Sequence, residues 1–171
     1  MNAHINYDEI PDTSAVQEDL LAALSSQHVT VHTSEEPDFD YMENEDVAFV
    51  VKNPHNEENL LIEVCAEFSV FFGLWHGQYK AEEQDYDRMK KDIAALLAGN
   101  AGVLSLYADD HWLGSTLCPE KVTADADAEK LLERCWQKQE PKEKLLAQGG
   151  RVELLYWDPV ENKSFAIPAK G

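Results

Sequence analysis

Residues 62–72, with the sequence IEVCAEFSVFF, carry the pattern that decides the fold class. Apolar side chains occupy every second position of this stretch, and the positions between them include Glu63, Glu67 and Ser69. Alternation with a period of two is typical of a β-strand that has one buried face. We therefore predict one long strand, which ends at Gly73. Its predicted buried side chains are Ile62, Val64, Phe68, Val70 and Phe72.

Helical and strand-like patterns flank this stretch on both sides. Residues 82–98 have apolar side chains at helical spacing, acidic side chains in the first turn, and Gly99 directly after the last turn. Further helices are predicted at about 14–26, 125–138 and 141–149. Further strands are predicted at about 28–32, 47–52, 103–107, 112–117, 151–157 and 164–167. Because short turns join most neighbouring strands, we expect a single α+β domain over residues 1–171, with a largely antiparallel sheet and three to four helices packed on one face.

The charge of the chain is strongly negative and unevenly distributed. The net charge is −19, from 33 acidic and 14 basic residues. Residues 1–51 contain twelve acidic residues and no Lys or Arg, whereas residues 102–171 contain twelve acidic and nine basic residues. Nucleic acids and anionic membranes are bound through clustered Lys and Arg. We therefore expect neither as a direct partner, and we expect the N-terminal third to attract a basic protein surface.

Cysteine usage and hydropathy predict a cytoplasmic protein. The three cysteines, Cys65, Cys118 and Cys135, are widely spaced and include no CxxC pair, so we interpret them as reduced thiols. No run of about 18 apolar residues indicates a membrane-spanning helix. The first seven residues have neither a basic region nor an apolar stretch, so no signal peptide is expected. The spacing of polar residues indicates no cofactor site.

Residues 35–46 form the most unusual segment, because aromatic residues alternate there with acids. Seven of the twelve residues are acidic, and Phe39, Tyr41 and Met42 lie between them. A solvated loop is one interpretation. The other is a binding segment for a basic, grooved protein partner, in which the charges steer association and the rings supply buried area. The predicted binding residues of this segment are Glu35, Glu36, Asp38, Phe39, Asp40 and Tyr41.

The predicted long strand has a polar face with a row of Glu63, Cys65, Glu67 and Ser69. Two carboxylates four residues apart on one strand are separated by about 13 Å, which is too far for a glycosidase pair. Flanking carboxylates also make Cys65 a poor nucleophile, because they raise a thiol pKa. We interpret the row as a solvated face or as a partner-binding face, and we add Glu63 and Glu67 to the candidate binding residues.

His76 is the candidate for chemistry, if the chain has any. It lies in the sequence WHGQY, which we expect to form a loop at the end of the long strand, and such loops often carry functional residues. A general base or a metal ligand is one interpretation of His76, with Glu63 or Glu67 as its neighbour. The other is an aromatic-rich turn that closes the edge of the core. No nucleotide-binding, zinc-protease, serine-hydrolase or EF-hand motif is present.

Three segments between Glu67 and Ser115 carry a resemblance to known proteins. They read EFSVFFGLWHGQY, YDRMKKDIAALLAGN and GVLSLYADDHWLGS. Their order, and the Phe-Gly-x-Trp-His turn in the first of them, resembles small acidic bacterial proteins of the type that confers immunity in polymorphic toxin systems. The resemblance implies that the chain binds and neutralises a cognate toxin, and it implies no catalytic residue.

The leading hypothesis is therefore a non-enzymatic protein-binding domain that engages a basic partner, in the manner of an immunity-type inhibitor of a toxin or effector. Two alternatives remain open. One is a chaperone for a secreted protein, because the order of helices and strands is similar to that of secretion chaperones. The other is a small enzyme or metal-binding protein centred on His76.

Overall fold

A computed structural model of the chain describes residues 13–170, which form four α-helices and nine β-strands. In chain order the elements are α1 (Thr13–Ala23), β1 (Val29–Thr33), β2 (Val47–Val51), β3 (Leu60–Val64), β4 (Glu67–Phe72), β5 (Trp75–Lys80), α2 (Glu83–Leu97), β6 (Gly102–Ala108), β7 (His111–Cys118), α3 (Ala128–Cys135), α4 (Gln139–Gln148), β8 (Gly150–Leu155) and β9 (Lys163–Ile167). The predicted α+β class is confirmed. The expectation of no signal peptide concerns residues outside the described part of the chain.

The strands form two antiparallel sheets, and the chain divides into two compact units. Among the described residues, the first unit comprises residues 13–72 together with His76–Ile93, and the second comprises Gly73–Trp75 together with residues 94–170. One sheet has the strand order β1-β2-β3-β4-β5 and the other has the order β7-β6-β8-β9. That the chain is a single domain stays a prediction, since one domain can contain two compact units. Within residues 13–170, no helix has both the length and the apolar character needed to cross a bilayer.

The predicted long strand at residues 62–72 is wrong, because the chain reverses in its middle. β3 ends at Val64, and β4 begins at Glu67 and runs back along it. Val64 pairs with Phe68 and Ile62 pairs with Val70. The predicted buried face is nevertheless confirmed, since Ile62, Val64, Phe68 and Val70 are fully buried and Phe72 is 1% exposed. Partners in this register are both even-numbered or both odd-numbered, so a hairpin and a single strand have the same alternation.

The core of the first unit joins its helices to its sheet through aromatic contacts. The Tyr86 ring of α2 packs edge-on against Phe68 of β4, with ring centroids 5.6 Å apart. The Tyr86 hydroxyl donates to Asp19 of α1 at 2.7 Å, and the Lys90 ammonium lies 2.9 Å from the same carboxylate oxygen. Tyr86 is 1% exposed, so its ring contributes apolar burial while its hydroxyl retains a partner. This contact ties α1 to α2.

The segment around His76 is a strand rather than the predicted loop. Residues 73 and 74 make a tight turn, in which Gly73 has the left-handed φ of 57° that favours glycine. β5 then alternates, with Trp75, Gly77 and Tyr79 buried and the residues between them exposed. The predicted loop at the end of the long strand is wrong, because the period-two alternation of residues 75–80 places them in a further strand with one buried face.

The second unit builds its own core from the second sheet and from α3 and α4. β6 lies between β7 and β8 in the sheet and is buried along almost its whole length. The helices contribute buried side chains from one face each. These buried helical side chains are Leu131, Leu132, Cys135 and Leu145. The strands predicted at about 103–107 and 112–117 are β6 and β7, which form a hairpin that turns at Asp109 and Asp110.

Candidate partner-binding face

The acidic segment that follows β1 is folded into consecutive turns. The Glu36 amide donates to the Thr33 carbonyl at 3.1 Å, and the Glu36 carboxylate accepts the Thr33 amide at 3.0 Å. Glu36 also lies 2.9 Å from Nδ1 of His32. The hydrogen bond with His32, followed by that from the Thr33 amide, lowers the pKa of Glu36. Glu36 therefore holds the turn in addition to contributing charge.

Phe39 packs on this turn through its ring. Pro37–Phe39 form one turn of 3-10 helix, with proline at a position where its missing amide proton costs nothing. The Phe39 ring stacks on the His32 ring, with centroids 4.5 Å apart and an interplanar angle of 16°. Because His32 belongs to β1, the stack attaches the acidic segment to the edge of the sheet.

Tyr41 links the acidic segment to the hairpin of β3 and β4. Its hydroxyl donates to Oε1 of Glu63 at 2.9 Å, across 22 positions of sequence. Its ring lies 6.3 Å from the Phe39 ring, within the range of aromatic pairs. Partial burial, followed by the hydrogen bond to Glu63 and the charge of that residue, raises the pKa of Tyr41 to about 12. The side chain remains 60% exposed, so a large aromatic surface faces solvent in a fixed position.

We call Glu36, Phe39, Tyr41 and Glu63, together with His32, the Tyr41 cluster. The sequence indicated four of these residues as candidates, and the structure brings those four together. His32 was missed, because a histidine on a short strand gives no signal of what it stacks against. Its position four residues before Glu36 was the only hint in the sequence.

The other candidate residues surround this cluster without a described contact to it. Glu35, Asp38 and Asp40 are in the same segment, and Glu67 begins β4; Glu35, Asp38, Asp40 and Glu67 are all partly or fully exposed to solvent. Met42, which lies among the acids of the same segment, is buried and only 7% exposed. Met42 therefore fixes the end of the acidic segment in the core.

The hairpin changes the geometry of the polar row on β3 and β4. Glu63 pairs directly with Ser69, so Glu67 is a diagonal neighbour of Glu63 rather than a residue four positions along the same strand. The expected separation of about 13 Å is therefore wrong, because diagonal neighbours across two strands lie about 7–8 Å apart. The Glu63 and Glu67 side chains consequently contribute to one compact patch of negative charge.

Cys65 lies at the turn of this hairpin and is half-buried. Burial raises the pKa of its thiol to about 12, and the charge and hydrogen bond of Asp46, together with the charge of Glu63, act in the same direction. A thiol that stays protonated is a weak nucleophile. The prediction that Cys65 is a poor nucleophile is therefore supported by its surroundings.

His76 is exposed on β5 and stacks on the Phe71 ring of β4, with centroids 4.2 Å apart and an interplanar angle of 11°. This stack is a cross-strand contact rather than the expected packing in a turn. Within the described part of the chain, no group of three or more His, Cys, Asp or Glu side chains is arranged to hold a metal ion. The described residues thus offer His76 no ligand set.

Comparison of the chain with protein-family models, with curated proteins and with solved structures gives no match. An exposed aromatic ring with a fixed orientation, bordered by carboxylates, can insert into a partner surface while the carboxylates meet cations.

Proposed function

We propose that the chain is a non-enzymatic protein-binding module whose Tyr41 cluster binds a basic surface of a partner protein. The observation that carries the proposal is the 60% exposed Tyr41 ring, held between Phe39 and the Glu63 carboxylate. A ring that is already oriented loses little conformational entropy when it is buried by a partner. Tyrosine is also one of the residue types enriched among interface hot spots.

The surrounding charge supports a cationic partner rather than an apolar one. Glu35, Asp38 and Asp40 are exposed in the acidic segment, and the net charge of the chain is −19. Such a field accelerates association with an oppositely charged surface and repels anionic ones. Nucleic acid and anionic membrane surfaces are excluded from the proposal for the same electrostatic reason.

The interface extends beyond the Tyr41 cluster, because a stable protein interface buries about 800 Å² on each partner. The outward face of β3 and β4 is the natural extension, since it carries Glu63, Glu67 and Ser69 next to one another. These side chains supply a polar rim that accepts hydrogen bonds from Lys and Arg.

The narrower form of the proposal is an immunity-type inhibitor of a basic bacterial toxin or effector, acting in the cytoplasm. It rests on the resemblance of residues 67–115 to such proteins together with the acidic, aromatic surface described above. An inhibitor of this type suppresses the activity of its partner in proportion to the amount added. A secretion-type chaperone instead binds a partner that has not yet folded. The folding state of the bound partner therefore distinguishes the chaperone from the inhibitor.

The test is affinity capture from the source cell, with wild type, Tyr41→Ala and Trp112→Ala immobilised in parallel. Trp112 is a matched control, because it is also an exposed aromatic residue whose polar tip has one hydrogen bond, from its indole nitrogen to Ser115 at 3.0 Å. We expect a basic protein to be retained by wild type and Trp112→Ala. Tyr41→Ala should retain it at least tenfold less, a loss of about 1.4 kcal/mol.

The capture should be repeated at raised salt, where screening weakens an electrostatically steered complex. Retention of a basic partner by Tyr41→Ala at the wild-type level would contradict the proposal, as would loss of the partner only from Trp112→Ala. Titration of the captured protein with wild type, followed by its enzymatic activity and its state of folding, then separates the inhibitor from the chaperone.

A further inference from the structure

Two cysteine sulfurs meet in the core of the second unit. Cys118 is the last residue of β7 and Cys135 is the last residue of α3, and their sulfur atoms lie 3.2 Å apart. Cys118 is fully buried and Cys135 is 9% exposed. The sequence gives no indication that the two cysteines lie close together, because 17 positions separate them and they have no CxxC spacing.

The fold brings both sulfurs to one place by ordinary local rules. The Asp127 side chain caps α3 by accepting the amides of Glu129 and Lys130, which fixes where the helix begins. Cys135 then lies four residues after Leu131, on the same helix face, and that face points into the core. Cys118 faces the same core from the end of an edge strand.

Hydrogen bonds and an ion pair fix the segment between the two cysteines, residues 119–134. The Tyr156 hydroxyl accepts the Val122 amide at 2.8 Å and donates to the Glu120 carbonyl at 3.0 Å. The Glu120 carboxylate is also 2.6 Å from the Arg134 guanidinium, one residue before Cys135. These contacts hold the segment between the two cysteines in a path that keeps their sulfurs adjacent. The sulfurs need to approach by only about 1 Å, given a disulfide bond length of about 2.0 Å.

The two thiols are not equivalent. Burial raises the pKa of both. Their mutual contact raises the pKa of Cys118 further but opposes the rise at Cys135, where the charge of Glu120 adds to the rise and the charge of Arg134 opposes it. Cys135 is 9% exposed whereas Cys118 is fully buried, so Cys135 is the sulfur that meets an oxidant first.

We propose that Cys118 and Cys135 are a redox couple in which a peroxide oxidises Cys135 and Cys118 resolves the product into a disulfide. The Cys135 thiolate attacks the O–O bond of the peroxide, so a sulfenic acid forms and hydroxide leaves. The Cys118 sulfur then attacks the Cys135 sulfur, and the sulfenic hydroxyl leaves as water with the Cys118 proton. Overall, two thiols and one hydrogen peroxide give one disulfide and two waters, with two electrons transferred to the peroxide. An external thiol reverses the bond by exchange.

The disulfide would fasten the end of α3 to the end of β7. It closes a loop within the second unit, so it restricts the unfolded chain and raises the thermal midpoint of unfolding by several degrees. The proposal concerns this pair alone and does not rest on the proposed function.

The test uses the full chain with hydrogen peroxide as the probe, followed by quenching, denaturation, alkylation and intact-mass measurement. The reduced protein should take three alkyl groups, because all three cysteines are free. The oxidised protein should take one and should be lighter by two hydrogen atoms before alkylation. Peptide mapping without reductant should show the Cys118–Cys135 link. A Cys65→Ser variant should take two alkyl groups before oxidation and none after it.

A second measurement tests the order of attack. In Cys118→Ala, the Cys135 sulfenic acid has no resolving partner and should be trapped by dimedone, whereas Cys135→Ala should show no dimedone adduct at Cys118. Circular dichroism establishes that each variant is folded, and Cys→Val replaces Cys→Ala where it is not. The redox couple is refuted if wild type still takes three alkyl groups after peroxide treatment, or if the disulfide contains Cys65. A dimedone adduct at Cys118 in folded Cys135→Ala refutes the order of attack.

Discussion

The Tyr41 hydroxyl donates a hydrogen bond to a carboxylate oxygen of Glu63 at 2.9 Å, across 22 positions of sequence. This bond connects the acidic segment to the hairpin of β3 and β4. It also fixes the orientation of a ring that is 60% exposed. A charged acceptor makes a stronger hydrogen bond than a neutral one, so the geometry resists thermal averaging. Tyr41 and Glu63 therefore act as one element of the candidate binding face.

Partial burial and the hydrogen bond to Glu63 predict an abnormal titration of Tyr41. The Tyr41 pKa is raised from 10.0 to about 12, so the unfolded chain loses this proton first as the pH rises. The contribution of Tyr41 to stability is thus present below pH 10 and is lost as the pH rises toward 12. Glu63→Gln removes the negative charge and should shift the titration toward pH 10. Tyrosinate absorbance, measured as the difference between each protein and its Tyr41→Phe counterpart, checks this, and a wild-type step centred near pH 10 would contradict it.

The buried face of β4 predicts contrasting effects at two adjacent residues. Phe68 is fully buried against Tyr86, whereas Glu67 is exposed. Phe68→Ala should lower the free energy of unfolding by about 3–5 kcal/mol, and Glu67→Ala should change it by less than about 0.5 kcal/mol. Urea denaturation measures both, and equal losses would show that the side chains do not occupy opposite faces.

Lys90 contacts two carboxylates, and these should differ in their contribution to stability. Asp19 is 2.9 Å from the ammonium group and also accepts the buried Tyr86 hydroxyl, whereas Asp87 is 3.9 Å away and exposed. Asp19→Ala should cost about 1–3 kcal/mol at neutral pH. Asp87→Ala should cost less than about 0.5 kcal/mol. If Asp19→Ala lowers the free energy of unfolding as little as Asp87→Ala does, the Tyr86 and Lys90 contacts contribute nothing at Asp19.

Asp19 also predicts a loss of stability at acid pH. Burial alone would raise the Asp19 pKa, but the hydrogen bonds from Tyr86 and Lys90, with the charge of Lys90, outweigh it and lower the pKa. A depressed folded-state pKa contributes stability above the unfolded-state value of about 3.9 and loses it as the pH falls through the folded-state value. The difference between wild type and Asp19→Ala should therefore shrink below about pH 4, as measured by denaturation at successive pH values.

Tyr156 predicts a large effect from the removal of one oxygen atom. Its hydroxyl accepts a hydrogen bond from the Val122 amide and donates one to the Glu120 carbonyl. Tyr156 as a whole is 1% exposed. Tyr156→Phe leaves both backbone groups without this partner and should cost about 1–3 kcal/mol. Tyr107→Phe is the control, because the ring that Arg151 covers at 4.3 Å is retained. Faster hydrogen exchange at Val122 in Tyr156→Phe, and not in Tyr107→Phe, would locate the loss.

Once a partner is captured, its binding kinetics should separate charge from anchoring. Replacing Glu35, Asp38 and Asp40 by their amides should slow association and flatten its salt dependence. Tyr41→Ala should instead speed dissociation, because it removes buried contact area. Glu36 is left unchanged, since its carboxylate holds the turn through His32 and the Thr33 amide.

The matched control for the charge variant replaces three exposed acids of the second unit, Glu133, Glu140 and Glu143. Both variants change the net charge by the same amount, so an equal slowing of association would assign steering to the overall charge and not to the acidic segment. Deletion of residues 35–46 is not a clean alternative, because it would also remove the buried Met42 from the core.

The sequence determined the α+β class, most helix and strand positions, and which side chains of residues 62–72 are buried. These properties depend on local periodicity, which is the same whether or not the chain reverses direction within the segment. It did not determine that the stretch is a hairpin, because Cys65 and Ala66 are not typical turn residues and the paired register preserves the alternation. The length of about eleven residues, nearly twice that of an average strand, was the signal that should have indicated a turn.

Only the tertiary structure decided which of the candidate residues act together. Composition indicated the acidic segment as a candidate binding segment. In the structure Met42 is buried in the core, whereas Tyr41 is exposed and donates a hydrogen bond to Glu63. The meeting of Cys118 with Cys135 likewise depends on how β7 and α3 pack, since 17 positions of sequence separate them. Periodicity specifies which face of an element is buried, whereas contacts between elements depend on register and packing that no single segment encodes.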